Sequence, residues 1–402
     1  MKRNTYQFIR NRYFTLLLQH AILKLLSMAN TPAEMKIMIV HPGQAGILTI
    51  QKRTKLDSRF FCLKKGYLYI LLATVLFSSM EIALKLTAAS LNAIQLTFLR
   101  FLIGGLILLP LTAKEKKEKK LKLERSDFAF FAFTGFICVV VSMILFQLGI
   151  LYSKASVVAV LFSCNSVFTV LFAYLMLAEK VYKHTIISIL LSVIGMVVII
   201  DPLHLAPSNF IGILFTIGAA LTFALYNVIG RTRSGRYGGI TLTCLSFLFG
   251  CAEMLLLIGI GHIGPVADGL NAAGLSLFAR VPLVSGIGLG TLPGLLYAGI
   301  FVTGLGYTFY FLAMEQTSAA TAALVFYIKP ILAPLFAFLI LKEAITFPMV
   351  VGILFILTGS VVAFVPGIRL QHNKGLSEDL KEDVEEVISE AQAEIDETSI
   401  KP

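Results

Sequence analysis

The sequence predicts an all-α polytopic membrane protein whose ten transmembrane helices form two inverted five-helix repeats, with both termini in the cytoplasm. Three observations predict this fold class: the apolar composition, the number of long apolar segments and an internal repeat. Of 402 residues, 57% are hydrophobic and only 14% are charged. The mean hydropathy of +0.84 exceeds what a soluble domain of this length can bury in its core, so the chain belongs in a membrane.

Ten apolar segments of about 18 to 25 residues are each long enough to cross a hydrocarbon core of about 30 Å as a helix. They lie near residues 66–86, 93–112, 128–150, 155–177, 184–201, 209–230, 239–262, 289–312, 318–341 and 345–365. The sequence therefore predicts a bundle of ten membrane-spanning helices.

Basic residues mark one side of this bundle. Lysine and arginine concentrate at 64–65, 114–125, 179–184, 231–236 and after 369, which all fall on one side if the helices alternate in direction. The positive-inside rule assigns that side to the cytoplasm. The net charge of +11 thus belongs to loops beside anionic lipid, and no nucleic-acid partner is expected. The predicted location is the inner or plasma membrane, with several passes through the bilayer.

An internal repeat relates the two halves of the chain. Residues 151–200 and 315–364 are identical at about 14 of 50 positions, with LFAYLMLAEK in the first copy aligned to LFAFLILKEA in the second. Earlier helices align at an offset of 146, so that Phe101 matches Phe247, whereas the later helices align at an offset of 164. The second half carries extra residues between its second and third helices. Because five helices is an odd number, the second half enters the membrane inverted.

This pattern divides the chain into four parts. Residues 63–205 and 206–368 form the two five-helix repeats. Residues 1–62 form a basic extension, for which an interfacial helix and disorder are both open, and the sequence does not decide whether it belongs to the mature protein. Residues 369–402 form an acidic cytoplasmic tail with helical spacing of its apolar residues, and it is either a solvated amphipathic helix or a partner-binding segment.

One position in the repeat carries a charge in only one copy. Lys329 aligns with Asn165 and lies eleven residues after Ser318, which is about 16 Å along a helix and close to the bilayer midplane. A lysine at this depth is costly and usually functional. Pro330 and Pro334 follow it and remove backbone donors, so we expect a broken helix that lines a polar cavity. The alternative is a lysine that only fixes helix packing.

Glu81 in the first helix is the leading partner for Lys329. Its repeat counterpart is Asn227, so this pair also has one charged and one neutral member. A buried Glu81–Lys329 ion pair would let each charge tolerate the membrane, and a substrate or a proton would compete for one partner. A position of Glu81 near the outer interface, beside Lys85, remains the alternative.

Further candidates are polar groups on the same helices and acids at helix ends. Tyr226, Tyr310 and Tyr327, together with Asn165 and Asn227, are candidate substrate-binding residues, although tyrosines also serve as interfacial anchors. Arg100, which aligns with Ser246, fits substrate contact and structural bonding equally well. We expect Glu179 and Glu343, repeat mates at helix ends, to act as gates on opposite membrane faces. The glycine pairs 135/299 and 195/359 indicate close helix packing.

No catalytic motif accompanies these residues. The chain contains no HExxH sequence, no nucleotide-binding loop and no cysteine or histidine spacing that would hold a metal, and its five cysteines are expected to be free thiols. The sequence therefore predicts neither an enzyme nor a cofactor. The functions that remain for a membrane protein of this kind are transport driven by a gradient and facilitated diffusion.

Residues 66–366 resemble the drug/metabolite transporter superfamily, EamA-type. The resemblance rests on two inverted five-helix halves, the ASLNAIQLTFLRFLIGG run around Arg100 and the paired helix endings above. It implies alternating access around a cavity lined by helices 1, 3, 4, 6, 8 and 9, the helices that carry Glu81, Asn165, Asn227, Tyr310 and Lys329. In related four-helix exporters a first-helix glutamate couples protons to cations. Lys329 departs from that pattern and favours an anionic or zwitterionic substrate.

The sequence thus predicts a secondary transporter of a small, amino-acid-like or otherwise carboxylate-bearing metabolite. Lys329 would bind the carboxylate, and Glu81 would be the proton or counter-charge site. A broad exporter of drug-like amphipaths is one alternative. A membrane scaffold or sensor that acts through its acidic tail is another. Substrate, direction of transport, coupling ion and the choice between monomer and homodimer stay open.

Overall fold

The computed structural model describes residues 36–41, 44–49, 53–178, 182–201, 207–317, 319–322 and 324–362, with side chains from residue 65 onward except at 207–208 and 319–320. Two compact units divide the chain after Phe61. Residues 1–35 of the basic extension and the acidic tail lie outside the described residues, so the expectations for both stay predictions.

The first unit contains a β-hairpin. Strand β1 (Lys36–His41) pairs with β2 (Gln44–Thr49) in antiparallel register, from Lys36 opposite Thr49 to His41 opposite Gln44. Both strands contain β-branched residues, Ile37, Ile39 and Val40 in β1 and Ile47 and Thr49 in β2, and such residues favour extended backbone. The described part of the second unit is helical throughout.

The described part of the second unit contains ten apolar helices, named α1 to α10 in chain order, and a short helix, Gly264–Ala272, between α7 and α8. Nine are long and apolar enough to cross a membrane. They are α1 (Lys65–Ala88), α2 (Ala93–Glu118), α3 (Arg125–Tyr152), α4 (Ala155–Leu177), α5 (Lys183–Ile200), α6 (Asn209–Tyr237), α7 (Gly239–Ile260), α8 (Leu292–Gln316) and α9 (Leu324–Leu341). The tenth, α10 (Phe347–Val362), is shorter as described, so the predicted count of ten spans and the cytoplasmic termini stay predictions.

The helices are interrupted at related places in the two halves. The α3 helix changes to π-helical geometry over Phe136–Met143, and α8 does the same over Tyr297–Leu305. At the offset of 164, Tyr297–Leu305 corresponds to 133–141, so these two segments overlap in the repeat. Such π-helical turns re-aim side chains and are frequent at functional sites. The shared irregularity supports a common origin of the halves.

Contacts between repeat-equivalent residues follow a two-fold pattern. Phe101 of α2 and Phe247 of α7 are repeat mates, and their rings meet edge to face with centroids 4.6 Å apart. A residue can touch its own mate only near an axis that relates the halves. The α2 and α7 helices therefore form the centre of the bundle.

Small residues let the helices approach closely at two places. A methyl group on Gly135 of α3 would lie 2.6 Å from the backbone nitrogen of Gly250 in α7, and one on Gly195 of α5 would lie 2.6 Å from the carbonyl oxygen of Gly352 in α10. Real side chains do not tolerate such contacts, so glycine is required at both crossings. The packing role predicted for these glycines is present at Gly135 and Gly195.

Candidate functional site

The central feature of the bundle is a buried ion pair between α1 and α9. Lys329 Nζ lies 2.7 Å from Glu81 Oε1, and both side chains are almost completely shielded from the surface of the protein. The two residues are far apart in the sequence and sit on helices from opposite halves. The contact expected from the sequence is thus present.

Local backbone features position both charges. The α1 helix is interrupted at Ser79, whose hydroxyl donates to the Leu76 carbonyl at 2.9 Å and lies 2.7 Å from the Tyr297 hydroxyl. Glu81 therefore falls in the first turn of the segment Met80–Ala88, where exposed backbone N–H groups favour a carboxylate.

The expectation of a helix broken beside Lys329 was wrong. Leu324–Phe336 continues as an α-helix through both prolines and becomes π-helical only at Ala337–Leu341.

Two trios of aromatic rings pack between the helices, and one of them contacts the ion pair. Phe326 stacks on Phe77 at 6.0 Å and meets Tyr310 at 5.3 Å, while Phe162 meets Phe223 at 5.4 Å and Phe146 at 4.5 Å. The repeat offsets relate the two trios residue by residue: 77 to 223, 310 to 146, and 326 to 162. The ring of Phe162 lies below the Lys329 ammonium at 5.6 Å. Aromatic faces attract cations, so this ring adds to the stabilisation of the charge.

The predicted polar residues are distributed around these rings. Asn165 is buried, and its amide donates to the backbone carbonyl of Phe162 at 2.8 Å; none of the described hydrogen bonds joins it to Lys329. Tyr226 is buried beside Thr243 and Ser246, and Tyr327 lies beside Tyr310. Asn227 is half-buried, and none of the described hydrogen bonds involves its side chain.

Arg100 of α2 is the third charge in the centre of the bundle. Its terminal nitrogens lie 3.8 Å from Met80 Sδ and 3.5 Å from Met143 Sδ, and its guanidinium carbon lies 4.4 Å from the centroid of the Phe101 ring. The side chain is 1% exposed, and Nε has no partner among the described residues. Structural bonding to carbonyls, one of the two roles the sequence left open, is not among the contacts described.

Glu343 connects α9 to the start of α4 at one end of the bundle. Its Oε1 accepts from the Ala155 backbone nitrogen at 2.9 Å, and its Oε2 accepts from the Ser156 nitrogen at 3.0 Å and hydroxyl at 2.6 Å. Lys85 of α1 lies 3.9 Å from Oε1. The carboxylate lies beyond the end of its own helix and stabilises the N-terminus of another, where the helix dipole favours it. Its mate Glu179 lies outside the described residues.

A second polar cluster lies where α3 begins and α6 ends, and the sequence did not indicate it. Asp127 is buried and accepts from the Tyr237 hydroxyl at 2.5 Å, from Arg236 at 3.2 Å and from the Glu124 backbone nitrogen at 2.8 Å. Arg233 lies 4.0 Å away. The sequence signal for this cluster was the basic segment 231–236 together with the acidic residue at the start of α3. Hydropathy alone assigns both to the solvent, so it did not indicate that they meet.

Comparison with known proteins gives a consistent result. Residues 64–201 and 210–365 each match the EamA-like transporter family. An uncharacterized transporter of Clostridium kluyveri is 41% identical over 309 residues, covering 75% of this chain and 94% of that protein. One of Archaeoglobus fulgidus is 23% identical over 291 residues, covering 72% and 95%. A solved crystal structure with a TM-score of 0.52 and 19% identity covers 76% of this chain and 99% of its own, and it shares the fold.

The two family matches fall on the two halves that the internal repeat delimits, and together they span most of the chain. The membrane-capable helices lie inside these ranges, which makes the protein a multi-pass protein of the cell membrane. The similarity to transporters agrees with the polar centre described above. The chain therefore belongs to the EamA-like transporter family.

Proposed function

We propose that this protein is a secondary transporter that moves a small carboxylate-bearing metabolite, such as an amino-acid-like solute, by alternating access coupled to protons. The observation that carries the proposal is the ion pair of Glu81 and Lys329 at 2.7 Å, buried among apolar helices. Buried charges in membrane helices are costly and mark substrate or proton pathways. Membership of a transporter family supports the same reading.

The ion pair supplies two exchangeable partners. A proton on Glu81 removes the negative charge and frees the Lys329 ammonium for a substrate carboxylate, so proton and solute bind together. Asn165, Asn227 and Tyr226 would provide hydrogen bonds to the rest of the solute. Tyr310 and Tyr327 would do the same from the second half.

The helix-end acids would act as gates. Glu343 bonds two backbone donors of α4 and lies near Lys85, so breaking these contacts would separate α9 and α1 from α4 at that end. Glu179, its repeat mate, would act at the other end by the inverted relation of the halves.

The experiment has two stages. Metabolites are first profiled inside and outside cells that overexpress or lack the protein, which identifies the solute and its direction. Flux of that solute is then measured for Lys329→Ala. We expect normal membrane insertion and no flux, because the carboxylate loses its partner. The control Lys114→Ala removes an exposed lysine paired to Glu118 and should leave flux unchanged.

Proton coupling is tested separately with Glu81→Gln, which should flatten the dependence of flux on pH. Normal flux in Lys329→Ala refutes the binding role, and an unchanged pH profile in Glu81→Gln refutes the coupling role. Deleting residues 376–402 distinguishes transport from the alternative of a membrane scaffold or sensor that acts through its acidic tail. Unaffected flux in this deletion argues against the scaffold.

Export of broad amphipathic compounds is a second candidate, favoured by the two aromatic trios between the helices. Aromatic surfaces accept varied apolar groups without a defined hydrogen-bond pattern. Competition decides between the two: neutral amphipaths should inhibit flux only if the broad function is correct.

A further inference from the structure

The charges in the centre of the bundle do not sum to zero. Among the described residues, the charged side chains buried there are Glu81, Lys329 and Arg100, while the buried Asp127 sits at a helix end with its own arginines. Glu81 neutralises Lys329. No carboxylate of the described residues lies within 4.0 Å of Arg100, so one positive charge is left without a counter-ion.

The surroundings of Arg100 do not satisfy its donors. A guanidinium has five N–H donors in a planar fork, and the two thioether sulfurs that it contacts are weak acceptors. Burial of a charge without strong partners is costly, because the protein replaces only part of the hydration that is lost. A carboxylate matches the fork with two parallel hydrogen bonds. The ligand that would best satisfy this side chain is therefore an anion.

Neighbouring helix faces carry further buried polar atoms without partners among the described residues. They include Ser78 Oγ on α1 and both polar atoms of the Gln147 amide on α3. Ser78 lies two residues before Met80, and Gln147 lies four residues after Met143, the two methionines that contact Arg100. Unpartnered hydroxyl and amide groups therefore lie close in the chain to both sulfur contacts of Arg100.

The equivalent position in the other half is neutral. The repeat offsets relate Arg100 to Ser246, Met80 to Tyr226 and Met143 to Tyr307. There, Tyr226 lies beside Ser246, so polar groups face each other and no charge is left over. The unpaired charge of Arg100 therefore occurs in only one half of the repeat. It is a second difference between the halves, beside that of Lys329 and Asn165.

We propose that Arg100 anchors the anionic group of the solute, and that this group is a carboxylate carrying a single negative charge. With it bound, the central charges sum to zero while Lys329 remains paired with Glu81. Lys329 becomes a second contact only when a proton neutralises Glu81. The description of the ligand as a transported solute rests on the proposed function, whereas the anion site itself does not.

Binding is tested on the purified full-length protein, independently of transport. Thermal unfolding is followed with a thiol-reactive fluorophore, because Cys138, Cys164, Cys244 and Cys251 are buried and free until the protein unfolds. The probes are sodium acetate and sodium L-lactate, each compared with its neutral amide and with sodium chloride at equal ionic strength. A ligand that binds only the folded state raises the unfolding midpoint. We expect at least one carboxylate to do so, and neither its amide nor chloride.

Three variants locate the anion. Arg100→Gln should weaken the apparent affinity for the carboxylate at least tenfold, and Arg100→Lys should restore part of it. The double variant Glu81→Gln/Lys329→Gln removes the ion pair without changing net charge, and it should keep the response with less than tenfold weakening. In the absence of probe, Arg100→Gln should unfold at an equal or higher temperature than the wild type, because it removes an uncompensated charge.

Four outcomes overturn the proposal. They are an unresponsive wild type, equal stabilisation by chloride, a response kept in Arg100→Gln but lost in the double variant, and failure of both Arg100 variants to fold. The last would make Arg100 a structural residue. Flux that depends on Lys329 together with any of these outcomes would leave the transport function standing and remove only the anchor at Arg100.

Discussion

Breaking the ion pair of Glu81 and Lys329 should destabilise the protein more than breaking any exposed pair. At 2.7 Å, two unit charges attract by about 6 kcal/mol for an effective dielectric constant of about 20. Much of that attraction offsets the loss of hydration. Removing one partner instead leaves the other as an unpaired buried charge, which typically costs about 3–5 kcal/mol. We expect this loss for Glu81→Gln and also for Lys329→Gln.

The double variant should recover most of this loss, because no buried charge remains in the pair. A double-mutant cycle would then give a coupling energy of about 3 kcal/mol or more, since removing both partners of a buried pair is far less costly than removing one. The measurement is equilibrium unfolding in mixed micelles with increasing sodium dodecyl sulfate, followed by circular dichroism. The matched control is the cycle for Lys85 and Glu343, whose atoms are 3.9 Å apart and partly exposed.

The control pair should give a coupling of only about 0–1 kcal/mol. If the central pair gives a coupling of similar size, or if the double variant loses the sum of the two single losses, the two charges do not stabilise each other. The reasoning about the centre of the bundle would then be refuted.

Three other changes test the packing and the helix ends. Glu343→Ala should cost about 1 kcal/mol through loss of the cap on α4, seen as a lower thermal midpoint, and an unchanged midpoint would contradict the cap. Gly195→Val should cost at least about 1–3 kcal/mol, because its side chain meets the Gly352 carbonyl, whereas the open position Gly259→Ala should be tolerated in the same unfolding assay. Asp127→Asn should cost about 1.5–3 kcal/mol, because the buried carboxylate that pairs with Arg236 and lies near Arg233 loses its charge; wild-type unfolding would show that the cluster is dispensable.

The centre of the site was largely predictable, for a reason that belongs to the bilayer. A charge inside an apolar span is much less costly when an opposite charge pairs with it, and the sequence offered Glu81 as the leading acid for Lys329. The structure contains that contact. The partner of Glu343 was not predictable in the same way. That acid stabilises a helix start 188 residues away, and nothing in its own neighbourhood indicates which helix lies opposite.

The irregular backbone was predicted least well. Two prolines after Lys329 indicated a broken helix, yet the helix continues through them, because tertiary packing overrides a local helix-breaking tendency. The π-helical turns of α3 and α8 had no recognisable signal, although their overlap in the repeat is clear once they are seen. Backbone irregularities of this kind depend on neighbouring helices more than on the residues that form them.

The sequence by itself determined the class of the protein, the positions of its membrane helices and the asymmetric placement of charge between its halves. These properties follow from hydropathy and from the repeat, both of which are local or periodic in the chain. Only the tertiary structure decided which charges meet. It paired Glu81 with Lys329 and left Arg100 among sulfur atoms and an aromatic ring. Electrostatic energies depend on distances of a few ångströms between distant segments, and no sequence pattern specifies those distances.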